Sequence, residues 1–100
     1  MKFIITESKL NLFKNKFLNH YLENGVKKSD SFIIILNNDE DDYDYAEPHF
    51  EYDFFDGRLF INNNVTQKFM DFFGTSKEET NDYISKWFED NFGVTVEFTA

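Results

Sequence analysis

Phe50-Glu51-Tyr52-Asp53-Phe54-Phe55-Asp56-Gly57-Arg58-Leu59-Phe60-Ile61-Asn62 decides the architecture. Phe50, Tyr52 and Phe54 alternate with Glu51, Asp53 and Phe55, the period of a strand with one buried and one wet face. Asp56-Gly57 is a tight-turn dipeptide, and Arg58–Asn62 is the returning strand. The stretch predicts an antiparallel hairpin, from which Phe55 and Phe60 point outward. Those two rings cover either a second core or an interface. Asn62-Asn63-Asn64 then breaks the strand period and can cap a helix. Val65, Phe69, Met70, Phe72 and Phe73 form the apolar side of that helix, and Gly74 stops it.

Upstream of the hairpin, Phe32–Leu36 is β-branched and apolar on both faces, as a central strand is. Before it, Leu10, Phe13, Phe17, Leu18, Tyr21 and Leu22 recur at helical spacing and end at Asn24-Gly25. Thr6 or Ser8 suits the N-cap of that helix, and Lys9, Lys14 and Lys16 lie on its outer side. Lys2–Ile5 reads as a short opening strand. Downstream, Ser76-Lys77-Glu78-Glu79 fits a capping box, in which hydroxyl and carboxylate each satisfy a free backbone N–H. Thr80, Tyr83, Ile84, Trp87 and Phe88 share one face of the helix that follows. Gly93 ends it, and Val94, Val96 and Phe98 alternate as a last strand. The expected order is β-α-β-β-β-α-α-β. That is one α+β domain over residues 1–100, an antiparallel-dominated sheet of about four to five strands with helices on one face.

The chain has 100 residues, 20% of them aromatic, including fourteen Phe. One domain of this size buries only about 60–65% of its unfolded surface, so large rings must supply the core. The net charge of −9 is unevenly placed. Residues 1–28 carry +4, residues 29–57 carry −10 with no Lys or Arg, and residues 58–100 carry −3. Such a chain is repelled by nucleic acid and by anionic membrane, and attracted to proteins that present basic grooves. There is no Cys, which excludes disulfides, thiolate metal sites and cysteine nucleophiles. Phe3-Ile4-Ile5 is too short for a secretory signal, and Phe32–Leu36 is too short to span a bilayer. The expected location is the cytoplasm.

Chemistry has few footholds. The four Gly, at 25, 57, 74 and 93, each suit a helix stop or turn, and no phosphate loop or nucleophile elbow is spelled. His49, Glu51 and Asp53 form the one acid/base triplet worth naming. Paired catalytic acids need environments that push their pKa values apart, and a wet strand face offers none. No catalytic residue and no cofactor is assigned. The acidic loop at 37–47 contains Asp39, Glu40, Asp41 and Asp42, hard oxygen donors of the kind Ca²⁺ takes. The EF-hand pattern fails, because Tyr43, Asp44 and Phe50 stand at its fifth, sixth and twelfth positions. The plain alternative is a solvated acidic loop whose like charges repel. No metal ligand is assigned.

The opening Lys2-Phe3-Ile4-Ile5-Thr6-Glu7-Ser8 resembles the start of small uncharacterised accessory proteins of AT-rich, marine-type bacteriophages. Phe72-Phe73 followed by Trp87-Phe88-Glu89-Asp90 is similar to the C-terminal half of the same proteins. These are core and cap residues covering about a third of the chain, so the resemblance implies a shared fold and no site. It also implies a virus-encoded accessory protein in the host cytoplasm.

The leading expectation is a non-enzymatic, acidic binding protein. Asp39, Glu40, Asp41, Asp42, Tyr43, Asp44, Tyr45, Glu51 and Asp53 form its partner-binding face. The partner is a basic, nucleic-acid-handling protein, which the contact inhibits. Regular carboxylates can imitate duplex phosphates, while tyrosines supply apolar anchors. Direct nucleic-acid binding and membrane binding are not expected. The alternative is a homo-oligomer or virion assembly component, and the third reading is a divalent-metal domain built on the acidic loop.

Overall fold

The computed structural model describes residues 7–37 and 47–100. Three helices and five strands follow the order α1 (Glu7–Leu22), β1 (Val26–Lys28), β2 (Phe32–Ile35), β3 (Phe50–Asp53), β4 (Arg58–Ile61), α2 (Asn63–Phe73), α3 (Lys77–Phe92) and β5 (Phe98–Thr99). They form one compact α+β domain with a single sheet in the order β1-β2-β3-β4-β5. β1 to β4 are an antiparallel meander, and β5 joins β4 in parallel. The expected fold class and the 50–61 hairpin are as read. The proposed strand Lys2–Ile5 and the cap Thr6 lie outside the described residues. Ser8 falls within the bounds of α1.

Two elements differ from the reading. β1 was not expected, because three residues with two lysines carry no strand period. Ser29 builds its hairpin: its N–H donates to the Phe32 carbonyl at 2.9 Å, and its Oγ accepts from the N–H groups of Ser31 and Phe32. The last strand is only Phe98–Thr99 rather than Val94–Thr99. The preceding donors go elsewhere: Val96 N–H to Glu89 Oε2 at 2.8 Å and Glu97 N–H to the Gly57 carbonyl at 2.8 Å.

The helices cover one sheet face. Ile33, Ile35, Phe50, Tyr52, Leu59 and Ile61 are buried there. They pack on Leu18 and Tyr21 of α1, Val65 and Phe69 of α2, and Ile84, Trp87 and Phe88 of α3. Phe50 is fully buried. Its ring lies 5.8 Å from Tyr21, 5.3 Å from Trp87 and 6.5 Å from Phe88, centroid to centroid. Offset and edge contacts of this kind add to plain area burial. Polar pegs fix α1 on α3: Trp87 Nε1–H donates to Asn19 Oδ1 at 2.8 Å, and the Tyr83 hydroxyl lies 2.7 Å from Asn15 Oδ1.

Both helix starts are capped as read. Asn62 Oδ1 accepts from Asn64 N–H at 2.9 Å. Ser76 and Glu79 exchange both capping-box bonds, at 3.1 Å each. Hydrogen bonding from the Ser76 backbone N–H, and then from its side chain, holds the Glu79 carboxyl below its ordinary range.

Phe50→Ala removes a ring that no neighbour can replace. Its expected cost is about 3–5 kcal/mol in urea unfolding. A loss under about 1 kcal/mol would show that the core collapses around the gap.

Candidate functional site

The strand period that buries Phe50 and Tyr52 puts Glu51 and Asp53 on the opposite face. That face carries no helix among the described residues. Register sets two rows across it. One runs Lys27, Ile34, Glu51, Phe60; the other runs Phe32, Asp53, Arg58, Phe98. Apolar and charged side chains alternate along the first row, and in the second the opposite charges of Asp53 and Arg58 lie between Phe32 and Phe98. Phe32 and Phe98 are exposed, and Ile34, Glu51, Asp53 and Phe60 are half-buried. Among the described residues the one ion pair is His20 with Glu23, at 3.3 Å; Glu51 and Asp53 form none, although Arg58 stands directly opposite Asp53 in the register.

At the end of the hairpin the chain turns through Phe54-Phe55-Asp56-Gly57, four residues rather than a bare Asp-Gly step. Phe54 N–H donates to the Ser31 carbonyl at 3.1 Å, and Gly57 N–H to the Asp53 carbonyl at 2.9 Å. Asp53 Oδ1 accepts from Phe55 N–H at 2.8 Å. Asp56 Oδ1 accepts from Arg58 N–H at 3.3 Å. The turn is thus pinned at each residue, and Phe55 stands out of it 96% exposed. Gly57 has φ +69°, and a Cβ there would meet Glu97 Cγ at 2.5 Å. Positive φ and the close approach of residue 97 both require glycine.

The carboxylates at this end act together on one reporter. The Tyr52 hydroxyl donates to the Thr95 carbonyl at 2.6 Å. Burial first, and then the negative charge of Glu97, Glu89, Asp53 and Asp56, pushes its pKa above the ordinary tyrosine range. The hydroxyl is therefore held as a neutral donor in an acidic field.

Of the partner-binding residues read from the sequence, Asp39, Glu40, Asp41, Asp42, Tyr43, Asp44 and Tyr45 lie outside the described residues, as does most of the 37–47 loop. Glu51 and Asp53 are placed side by side on the uncovered face. His49 is not with them. It is buried and packs against Tyr21 of α1, ring centroids 4.6 Å apart, so the acid/base triplet is not assembled. His20 is a surface residue. Among the described residues no group of three or more His, Asp or Glu could hold a metal ion, and no helix is long and apolar enough to cross a membrane. Asp56 and Glu97 were missed as members of the site, and Phe55 was read as an outward ring without being placed in it. Glu97 arrives through β5, and no sequence signal links it to Gly57. No protein-family model matches the chain, and neither does any curated protein or solved structure.

Two outcomes check this geometry. Gly57→Ala is expected to cost more than Gly74→Ala, which shares the same φ region but has nothing within 4 Å of its Cβ. The shared φ penalty is about 1–2 kcal/mol, and the Glu97 contact adds to it. Equal melting points would mean that Glu97 swings away freely. Tyr52→Phe should cost about 0.5–1.5 kcal/mol at neutral pH. Because the folded phenol titrates above its unfolded value, this contribution is complete below the ordinary tyrosine range and is lost as pH rises through and beyond it. A wild-type-to-variant gap that stays constant into strong alkali would contradict that sign.

Proposed function

We propose that this chain is a non-enzymatic binding protein. Its acidic, aromatic sheet face docks onto the basic surface of a nucleic-acid-handling protein and blocks it. The observation that carries the reading is the uncovered sheet face, where Glu51 lies between Ile34 and Phe60 and Asp53 between Phe32 and Arg58, neither carboxylate in an ion pair among the described residues. Apolar groups supply contact area, and carboxylates supply on-rate and choice of partner. Burial first, and then Glu97, Glu89, Asp53 and Asp56, raises the Tyr52 pKa on the helix side of the sheet, which supports a negative potential at this end of the domain. Asp39, Glu40, Asp41, Asp42, Tyr43, Asp44 and Tyr45 extend the same charge and aromatic character in sequence. The resemblance to accessory proteins of AT-rich bacteriophages supports an inhibitor acting in a host cytoplasm. On this reading the chain has no catalytic residue, holds no cofactor, and binds neither nucleic acid nor membrane directly.

The test is capture from bacterial lysate by the tagged protein, beside a variant with Glu51→Gln, Asp53→Asn, Asp39→Asn, Glu40→Gln, Asp41→Asn and Asp42→Asn. Captured proteins are expected to be released by salt and by competing duplex DNA, and to be lost from the variant, whose melting temperature stays near wild type. Proteins retained by the variant, or indifferent to duplex DNA, would refute the reading.

A further inference from the structure

The helix side carries an apolar feature that the reading above does not use. Leu10, Phe13 and Phe17 of α1 and Phe72 and Phe73 at the end of α2 line an open groove of about 680 Å³, with Lys16 at its rim. Its floor is aromatic. Phe17 lies 5.9 Å from Phe72 and 5.6 Å from Phe73, and those two rings are 4.9 Å apart. Phe72 is 73% exposed, and Phe13 is about half exposed. Lys14 Nζ sits 6.0 Å from the Phe73 centroid, so a second cation borders the groove. Lys68 of α2 is exposed, and the nearby Asp71 carboxylate accepts from Gln67 Nε2 at 2.8 Å.

The opposite shape and charge occur on the same chain. Phe55 projects from the pinned β3–β4 turn, flanked by Asp53, Asp56 and Glu97. β4 separates the two features, with the turn at its Arg58 end and α2 beyond its Ile61 end. Phe55 is almost fully exposed, so a chain does not fill its own groove.

We propose that the two features are halves of one contact: the Phe55 turn of one copy seats in the α1–α2 groove of a second copy. Three arguments select a second copy as the occupant. A lone ring on a rigid turn matches an aromatic-floored groove, where edge-to-face contacts are favoured. Carboxylates around the ring meet Lys14 and Lys16 around the groove, so the long-range attraction has the right sign. The hydrogen bonds that pin the turn have already ordered it, which lowers the entropy lost on docking. The contact is heterologous, head to tail: each copy offers one turn and one groove. It closes into a ring if the rotation closes, and otherwise grows as an open chain of copies. This inference does not rest on docking to a basic protein.

Sedimentation of the purified chain from micromolar to millimolar concentration tests it. The wild-type mass is expected to rise with concentration beyond twice the 12.0 kDa monomer. Phe55→Ala removes only an exposed ring and should weaken association on the order of tenfold or more. Phe72→Glu should do the same from the groove side, with its melting temperature checking that the fold survives. Mixing the two variants is the decisive arm. Phe55→Ala keeps an intact groove and Phe72→Glu an intact turn, so the mixture should form heterodimers that grow no further. A wild type that stays monomeric throughout would overturn the proposal. So would a Phe55→Ala chain that associates like wild type, or a mixture that remains monomeric. Loss of lysate capture with self-association intact would remove the acidic-docking reading alone.

Discussion

The ring of Phe50 is the contact on which the rest of the molecule depends. It stands on β3, the central strand of the five, and meets Tyr21 from α1 and Trp87 and Phe88 from α3 at once. α1 precedes the sheet in the chain and α3 follows the meander, so this contact closes the fold across most of its length. A chain of 100 residues has little area to spend on a core, and stacked rings deliver the most area per residue. The polar pegs from Trp87 and Tyr83 to Asn19 and Asn15 then set how α1 lies on α3. Burial supplies the energy, and these bonds supply the register.

One helix layer on a five-stranded sheet leaves the second face without a cover among the described residues. The acidic docking face proposed for this chain follows from that asymmetry. The buried face selects Phe50, Tyr52, Leu59 and Ile61, and strand geometry then forces Glu51, Asp53, Arg58 and Phe60 to the other side. The turn joining β3 to β4 is stiff because its side chains and its neighbour Glu97 consume its backbone groups. The Phe55 ring itself, 96% exposed, gains nothing from the fold, which is why it is proposed as an interaction feature.

Much of the fold was legible. The hairpin follows from a two-residue period ended by Asp56-Gly57. The Asn62 cap and the Ser76–Glu79 box follow from local hydrogen-bonding chemistry. β1 was not legible, since Val26-Lys27-Lys28 becomes a strand only by pairing with Ile33–Ile35. The last strand was read too long, because Val96 and Glu97 give their N–H groups to Glu89 and Gly57. In the candidate site, alternation alone placed Glu51 and Asp53. It also placed His49 beside them, whereas packing against Tyr21 takes that ring into the interior.

By itself the sequence determined the fold class, the hairpin, the helix caps, and an acidic segment free of Lys and Arg over residues 29–57. These are local properties, set by the period of side chains along a strand or helix and by hydrogen bonds a few residues apart. Only the tertiary structure decided that β5 runs parallel to β4 and brings Glu97 against Gly57. It also decided that four carboxylates share the field around Tyr52, and that Phe55 stands free while Phe17, Phe72 and Phe73 form a groove. Those facts depend on pairs far apart in the chain, and no pattern along the sequence records which distant residues meet.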